Sequence, residues 1–142
     1  MGQQLIDIGA TANDGTGTKA RAGGDMINDN FTELYAQFGK VPSNAQTGTT
    51  YTLSLTDIGK GVTLDNASPI ALTIPAHADV ALPVGAVISV AGIGAGAVTV
   101  NGDTGVSVNG SSGGSVVLDG SWIPATLWQY DTDLWMAFGR FA

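Results

Sequence analysis

The sequence predicts a mainly β chain: a short N-terminal helix followed by a small antiparallel β-sandwich or barrel. Three observations carry this prediction. From Tyr51 onward, short apolar runs alternate with turn residues at spacings of about 8 to 12, the pattern of a small all-β domain. The chain has 21 glycines in 142 residues, enough tight turns for many short strands. Only one segment, about residues 19–38, has a helical period.

In that segment Ala20, Gly24, Ile27, Phe31, Leu34 and Phe38 fall at alternating spacings of four and three. This is an a/d stripe along one helix face. Thr16 or Thr18 can cap its start, Asp25 and Asp29 lie in the early turns, and Gly39 with Pro42 ends it. Gly23-Gly24 costs about 1 kcal/mol per glycine inside a helix. Either the helix begins near Asp25, or the glycines admit very close packing. A lone amphipathic helix of about fifteen residues is marginal in water, so the stripe needs something to pack on.

Three segments follow from this reading: 1–39 with the helix, a polar linker at 40–50 (KVPSNAQTGTT), and a β domain at 51–142. The expected strands begin with Tyr51–Leu55, Val62–Leu64 and Ile70–Ile74, the last stopped by Pro75. Ala86–Ala91 and Ala97–Asn101 flank the glycine turn Gly92, Gly94, Gly96. The units Val98-Thr-Val-Asn-Gly and Val106-Ser-Val-Asn-Gly repeat eight positions apart, each a strand end before an Asn-Gly turn. Ser115–Leu118 is a further strand. Ala125–Tyr130 and Leu134–Gly139 form a hairpin through Asp131-Thr132-Asp133.

Composition narrows the function. With five Lys and Arg against twelve Asp and Glu, a net charge of -7, no basic patch exists for nucleic acid. Zero cysteine excludes disulfides and thiolate metal sites. Val80–Val100 carries no charge over 21 residues, but Pro83, the glycines and the β-branched residues suit strands rather than a membrane span. No secretory signal is evident at Met1–Gln4.

No catalytic set emerges. Gly15-Thr-Gly17-Thr-Lys19 misses the spacing of a phosphate loop, and Gly92, Gly94 and Gly96 are not a dinucleotide fingerprint. His77 reads as a loop histidine. The pairs Asp131/Asp133 and Asn101/Asp103 read as turn chemistry rather than a cation site. Hence neither catalytic residues, nor a cofactor, nor a metal is expected. Six aromatics, Trp122, Trp128, Tyr130, Trp135, Phe138 and Phe141, crowd the last 21 residues. Alternate ones are expected in the core or at a subunit contact; Trp128 and Trp135 are the candidates for an exposed sugar-stacking surface.

At the N-terminus, IDIGATANDGTGTKARAGGDMINDNFTELYA resembles a segment near the start of tailed-bacteriophage tail-fibre, tailspike and head-fibre chains. The residues that carry the resemblance are Ile8, Gly9, Asn13, Asp14, Gly15, Thr16, Gly17, Arg21, Ile27, Asn28, Asn30, Phe31, Glu33, Leu34 and Tyr35. Thr18 and Gly23-Gly24 depart from that pattern. The stretch from Tyr51 to Gly110 also resembles a β domain of phage tail and fibre proteins, through Tyr51, Leu53, Asp57, Gly59, Pro75, Pro83 and Gly85, with Trp135 and Gly139 near the end.

The resemblance implies a non-enzymatic structural component of a phage or phage-like particle, such as a short fibre, fibre base or decoration protein. It implies a virion location and contact with other virion proteins. Asn13, Asp14, Gly15, Thr16, Gly17 and Arg21 would anchor the chain. The β domain would face outward, to dock a further protein or attach to a host. The fibre habit adds a homotrimer whose interface is Ile27, Phe31, Leu34 and Phe38. The competing reading is a carbohydrate-binding module that recognises host surface polysaccharide directly.

Overall fold

The computed structural model describes residues 5–7, 10 and 15–142. The chain divides into two compact units, Met1–Lys40 and Val41–Ala142.

Among its described residues the first unit holds one helix, α1 (Ala20–Gln37). Its N-cap is Lys19, with no side-chain cap; Thr18 instead pairs with Asp7. The Thr18 amide donates to the Asp7 carbonyl at 2.7 Å, and the Asp7 amide donates to Thr18 Oγ1 at 3.1 Å. Gly23 and Gly24 both lie inside the helix. Close packing accounts for neither: Gly23 is buried under the Ile6 side chain, but a Cβ there would meet Ile6 only at ordinary van der Waals distance, and one at Gly24 would meet open space. The helix ends as expected: the Phe38 amide donates to the Leu34 carbonyl at 2.9 Å, and Gly39 takes a left-handed φ of 75°.

The second unit is built from two sheets. Its strands are β1 (Ser43–Gln46), β2 (Thr50–Thr52), β3 (Gly61–Leu64), β4 (Ile70–Ile74), β5 (Val87–Gly92), β6 (Val98–Gly102), β7 (Ser107–Val108), β8 (Ser111–Ser112), β9 (Ser115–Val117), β10 (Pro124–Asp131) and β11 (Leu134–Gly139). Seven form one sheet in the order β1-β3-β5-β10-β11-β7-β8, and four form the other in the order β2-β4-β6-β9.

The mainly β class and the N-terminal helix are as the sequence predicts, but the sheets are mixed rather than antiparallel. From β1 to β6 the chain alternates between the two sheets. Each return lies parallel to the previous visit: β1 to β3, β3 to β5, β2 to β4 and β4 to β6. The expected hairpin supplies antiparallel order, with β10 pairing both β11 and β5. The turn residues bend the chain across the edge of the sandwich instead of reversing it within one sheet.

Two of these edge turns interlock. The Asn66 side chain accepts from the Ser68 amide at 2.8 Å and donates to the Thr47 carbonyl at 2.7 Å. Across from it, the Gly96 amide donates to the Asn66 carbonyl at 2.8 Å. A Cβ at Gly94 would collide with the Asn66 backbone, and one at Gly96 with the Ser68 carbonyl. Gly94 and Gly96 therefore serve close backbone approach, which explains a glycine-rich turn that fits no nucleotide motif.

Period-two alternation sends one face of each sheet inward. Val62, Leu64, Ile88, Val90, Leu127 and Trp135 from one sheet meet Ile70, Leu72, Ile74, Val98 and Val100 from the other in a single buried cluster. Of residues 40–50, expected as a linker, Ser43–Gln46 are β1 and sit in parallel register with β3. Of the two Asn-Gly units, Asn109-Gly110 makes the two-residue turn between β7 and β8, with φ of 50° and 79°. Asn101 and Gly102 instead remain within β6.

Candidate functional site

Three places bring chemistry-bearing side chains together. The first is the outer stripe of α1. Ile27, Phe31, Leu34 and Phe38 are between 44% and 80% exposed, and Ile27, Asn30, Phe31 and Leu34 line a shallow hollow. Tyr35 stacks on Phe31, with ring centroids 6.4 Å apart. Of the four residues expected at an interface, Ile27, Phe31 and Leu34 thus share one exposed face, while Phe38 is the exposed C-cap, where the backbone is already extended. Of the residues expected to anchor the chain, Asn13 and Asp14 lie outside the described residues. Gly15, in a left-handed turn with φ of 74°, is exposed, as are Thr16 and Arg21; Gly17 is half-buried.

The second place is a polar plug in the β domain, where β1, β2 and the short 3-10 turn Leu55–Asp57 come together. Asp57 is fully buried. Its carboxylate accepts from the Ser54 amide at 2.8 Å and the Ser54 hydroxyl at 2.9 Å. It also accepts from Asn44 Nδ2 at 2.6 Å and the Tyr51 hydroxyl at 3.0 Å. Gln46 Nε2 supports Asn44 by donating to its Oδ1 at 2.7 Å. Burial alone pushes the Asp57 carboxyl upward, but the hydrogen bonds from Ser54, Asn44 and Tyr51 outweigh it and hold its pKa below the ordinary value. Burial and the adjacent Asp57 raise the Tyr51 phenol. Every partner of the carboxylate is a neutral donor, so the arrangement is a satisfied structural network rather than an acid–base pair.

The third place is the aromatic face of the hairpin. Trp135, expected as a sugar-stacking candidate, is only 1% exposed. Its indole lies in the core and cannot stack on an external ligand. Trp128 lies opposite Met136 in the hairpin register, so Trp135, one residue earlier, must point to the other side. Trp128 is 37% exposed and Phe138 50%. Their rings stack 6.3 Å apart at 26°, and Tyr130 flanks Trp128 at 6.1 Å. Tyr130, Phe138 and Met136 join Trp128 on this face, which pairing within the hairpin already implied. Trp122, 75% exposed, holds a left-handed φ of 64° in the loop before β10.

The remaining polar candidates have local roles. The His77 amide donates to Asp133 Oδ1 at 2.7 Å, and its ring Nδ1 lies 3.1 Å from the Leu82 carbonyl. Asp131 and Asp103 each accept from the amide of the next residue, at 2.7 Å and 2.6 Å. Buried Gln129, oriented by its hydrogen bonds, donates to the Leu82 and Pro83 carbonyls at 3.1 Å and 3.2 Å. Among the described residues no group of three or more His, Cys, Asp or Glu is placed to hold a metal ion, and no helix is long and apolar enough to cross a membrane.

A helix that leaves a large apolar stripe exposed is the mark of an assembly element. Comparison with known proteins agrees with that class. Residues 3–58 match the family model described as Bacteriophage T4 gp9/10-like protein, N-terminal. Over 54 residues the chain is 46% identical to the baseplate wedge protein gp10 of Enterobacteria phage T4. That stretch is 37% of this chain and 9% of the relative, so the chain spans under a tenth of the relative's length. The resemblance to tailed-phage virion proteins is thus found for the N-terminal segment, with a baseplate protein as the relative. The match runs past α1 through β1, β2 and the turn that holds Asp57.

Proposed function

We propose that the chain is a non-enzymatic structural component of a bacteriophage particle, attached through its N-terminal segment and presenting its β domain outward. The observation that carries this is the match over residues 3–58, which includes the helix with its uncovered stripe. The particle position is that of a short fibre, fibre base or decoration protein. The sandwich docks a further protein or contributes to host attachment.

Particle assembly tests the attachment role. A chain lacking residues 1–39 is expected to keep a folded β domain, because that domain's buried cluster draws only on residues from Tyr51 onward. It is expected to be absent from purified particles. Incorporation of the truncated protein at normal copy number overturns the assignment.

The stripe supports a homotrimer with the helices on a common axis. Each large apolar side chain buried there contributes roughly 1.5–3 kcal/mol, and the four-three spacing suits knobs-into-holes packing. Light scattering at micromolar concentration is expected to give a trimeric mass for the wild type and a monomer for Phe31→Asp. A monomeric wild type sinks the trimer and leaves the attachment role standing.

A further inference from the structure

We propose that the outer face of the seven-stranded sheet, at Trp128, Tyr130 and Phe138, is a binding platform for an uncharged saccharide chain. Trp128 is the centre of the strip, with the Phe138 ring nearly parallel to its own and Tyr130 on its other side. A β-bulge between Gln129 and Asp131 leaves Tyr130 as the extra residue beside Trp128, and bulges commonly re-aim a side chain in this way. Val87 and Met136 lie directly opposite Trp128 on the two neighbouring strands and continue the apolar surface.

The strip is amphipathic as well as aromatic. Ser89, Thr126 and Phe138 form the adjacent row across β5, β10 and β11. Two hydroxyl side chains therefore border the rings. A pyranose ring has the matching character, with an apolar C–H face to lie on an aromatic ring and hydroxyls at its rim. Trp and Tyr suit such ligands because they offer a broad apolar body with a polar handle.

Charge and area decide between occupants. From Val41 onward the chain has seven Asp against two basic residues, and the rows just described carry no charge. An anionic polymer is repelled by such a domain, whereas a neutral chain is not. The exposed parts of Val87, Trp128, Met136 and Phe138 present on the order of 300 Å², the size of a functional patch. A stable interface with a second protein needs about 800 Å² per partner. The strip is too small for that and large enough for a few sugar units. Binding does not depend on the attachment role proposed above; only its biological setting does.

The full 142-residue protein, labelled and applied to an array of neutral and anionic bacterial surface polysaccharides, tests the proposal. Saturable binding to neutral polysaccharides is expected. Trp128→Ala and Phe138→Leu should each weaken it at least tenfold, while Trp122→Ala, beyond the other end of β10, leaves it unchanged. Circular dichroism checks that each variant is folded; should Trp128→Ala fail to fold, Tyr130→Ala takes its place. Absence of binding across the array overturns the proposal. So do binding confined to anionic polysaccharides, folded strip variants that bind as the wild type does, and a Trp128→Ala variant that breaks a wild-type oligomer.

Discussion

Trp135→Ala is expected to destabilise the β domain by about 3–5 kcal/mol, the usual cost of removing a large buried aromatic. The indole is the largest of the fully buried side chains and belongs to the cluster shared by both sheets. Its neighbours are held by strand pairing, so the structure can close only part of the resulting cavity. Trp135→Phe should cost much less. It keeps a ring in the core and removes the indole Nε1, which is buried without a hydrogen-bond partner. An unpaired buried donor itself costs about 1–3 kcal/mol, and its removal offsets part of the lost packing. Urea unfolding at constant m-value measures both variants. Equal losses for Phe and Ala would show that ring packing is not what Trp135 supplies. Trp128→Ala, outside the core, should cost less than Trp135→Ala.

The contrast between these two tryptophans shows what the sequence can and cannot disclose. Both lie in a stretch whose hairpin was legible, because Leu134–Gly139 alternates and Asp131-Thr132-Asp133 reverses the chain. The observed register then puts them on opposite faces. Composition treats them alike; pairing separates them. The winding of the first six strands was not legible for a related reason. A turn residue such as Asn66 or Gly94 announces a change of direction, and carries no information on whether the next strand returns beside the last or crosses to the other sheet. That choice is made by contacts distant in sequence, such as the Gly96 amide on the Asn66 carbonyl.

The stretch 40–50 was hidden differently. Its polar composition resembles a solvated linker, yet Asn44 and Gln46 point at other polar groups within the fold. Their spacing of two was the available signal; what satisfies them lies up to thirteen residues away, at Asp57. Helix α1 was the opposite case. Its stripe was visible in full, and the structure adds that none of Ile27, Phe31, Leu34 or Phe38 is covered. The family match across residues 3–58 joins these two regions. The matched sequence therefore includes both an uncovered helix face and the first polar network of the sandwich.

Removing the acceptor of that network should have an effect second only to the loss of Trp135. Asp57→Ala removes the acceptor of the Ser54 amide and the Tyr51 hydroxyl and leaves a buried void, while Asn44 Nδ2 keeps the Tyr51 hydroxyl and the Ser54 hydroxyl keeps Thr56 Oγ1 as partners. Unsatisfied buried donors cost about 1–3 kcal/mol each and are not additive, so a total loss of about 2–4 kcal/mol is expected. Asp57→Asn fills the space but turns an N–H₂ toward groups that donate, and should recover only part of it. The pH dependence has a definite sign. Because the folded-state pKa of Asp57 lies below its unfolded value, its contribution is complete above the ordinary carboxyl pKa of about 4. It is lost as pH falls through the folded value. The raised phenol of Tyr51 acts at the other extreme: its contribution holds below about pH 10 and is lost as pH rises through the folded value. Unfolding free energy measured from pH 7 downward should therefore fall more steeply in the wild type than in Asp57→Asn, with the two curves converging in acid. Parallel curves would mean that the pKa of Asp57 does not differ between the folded and unfolded states.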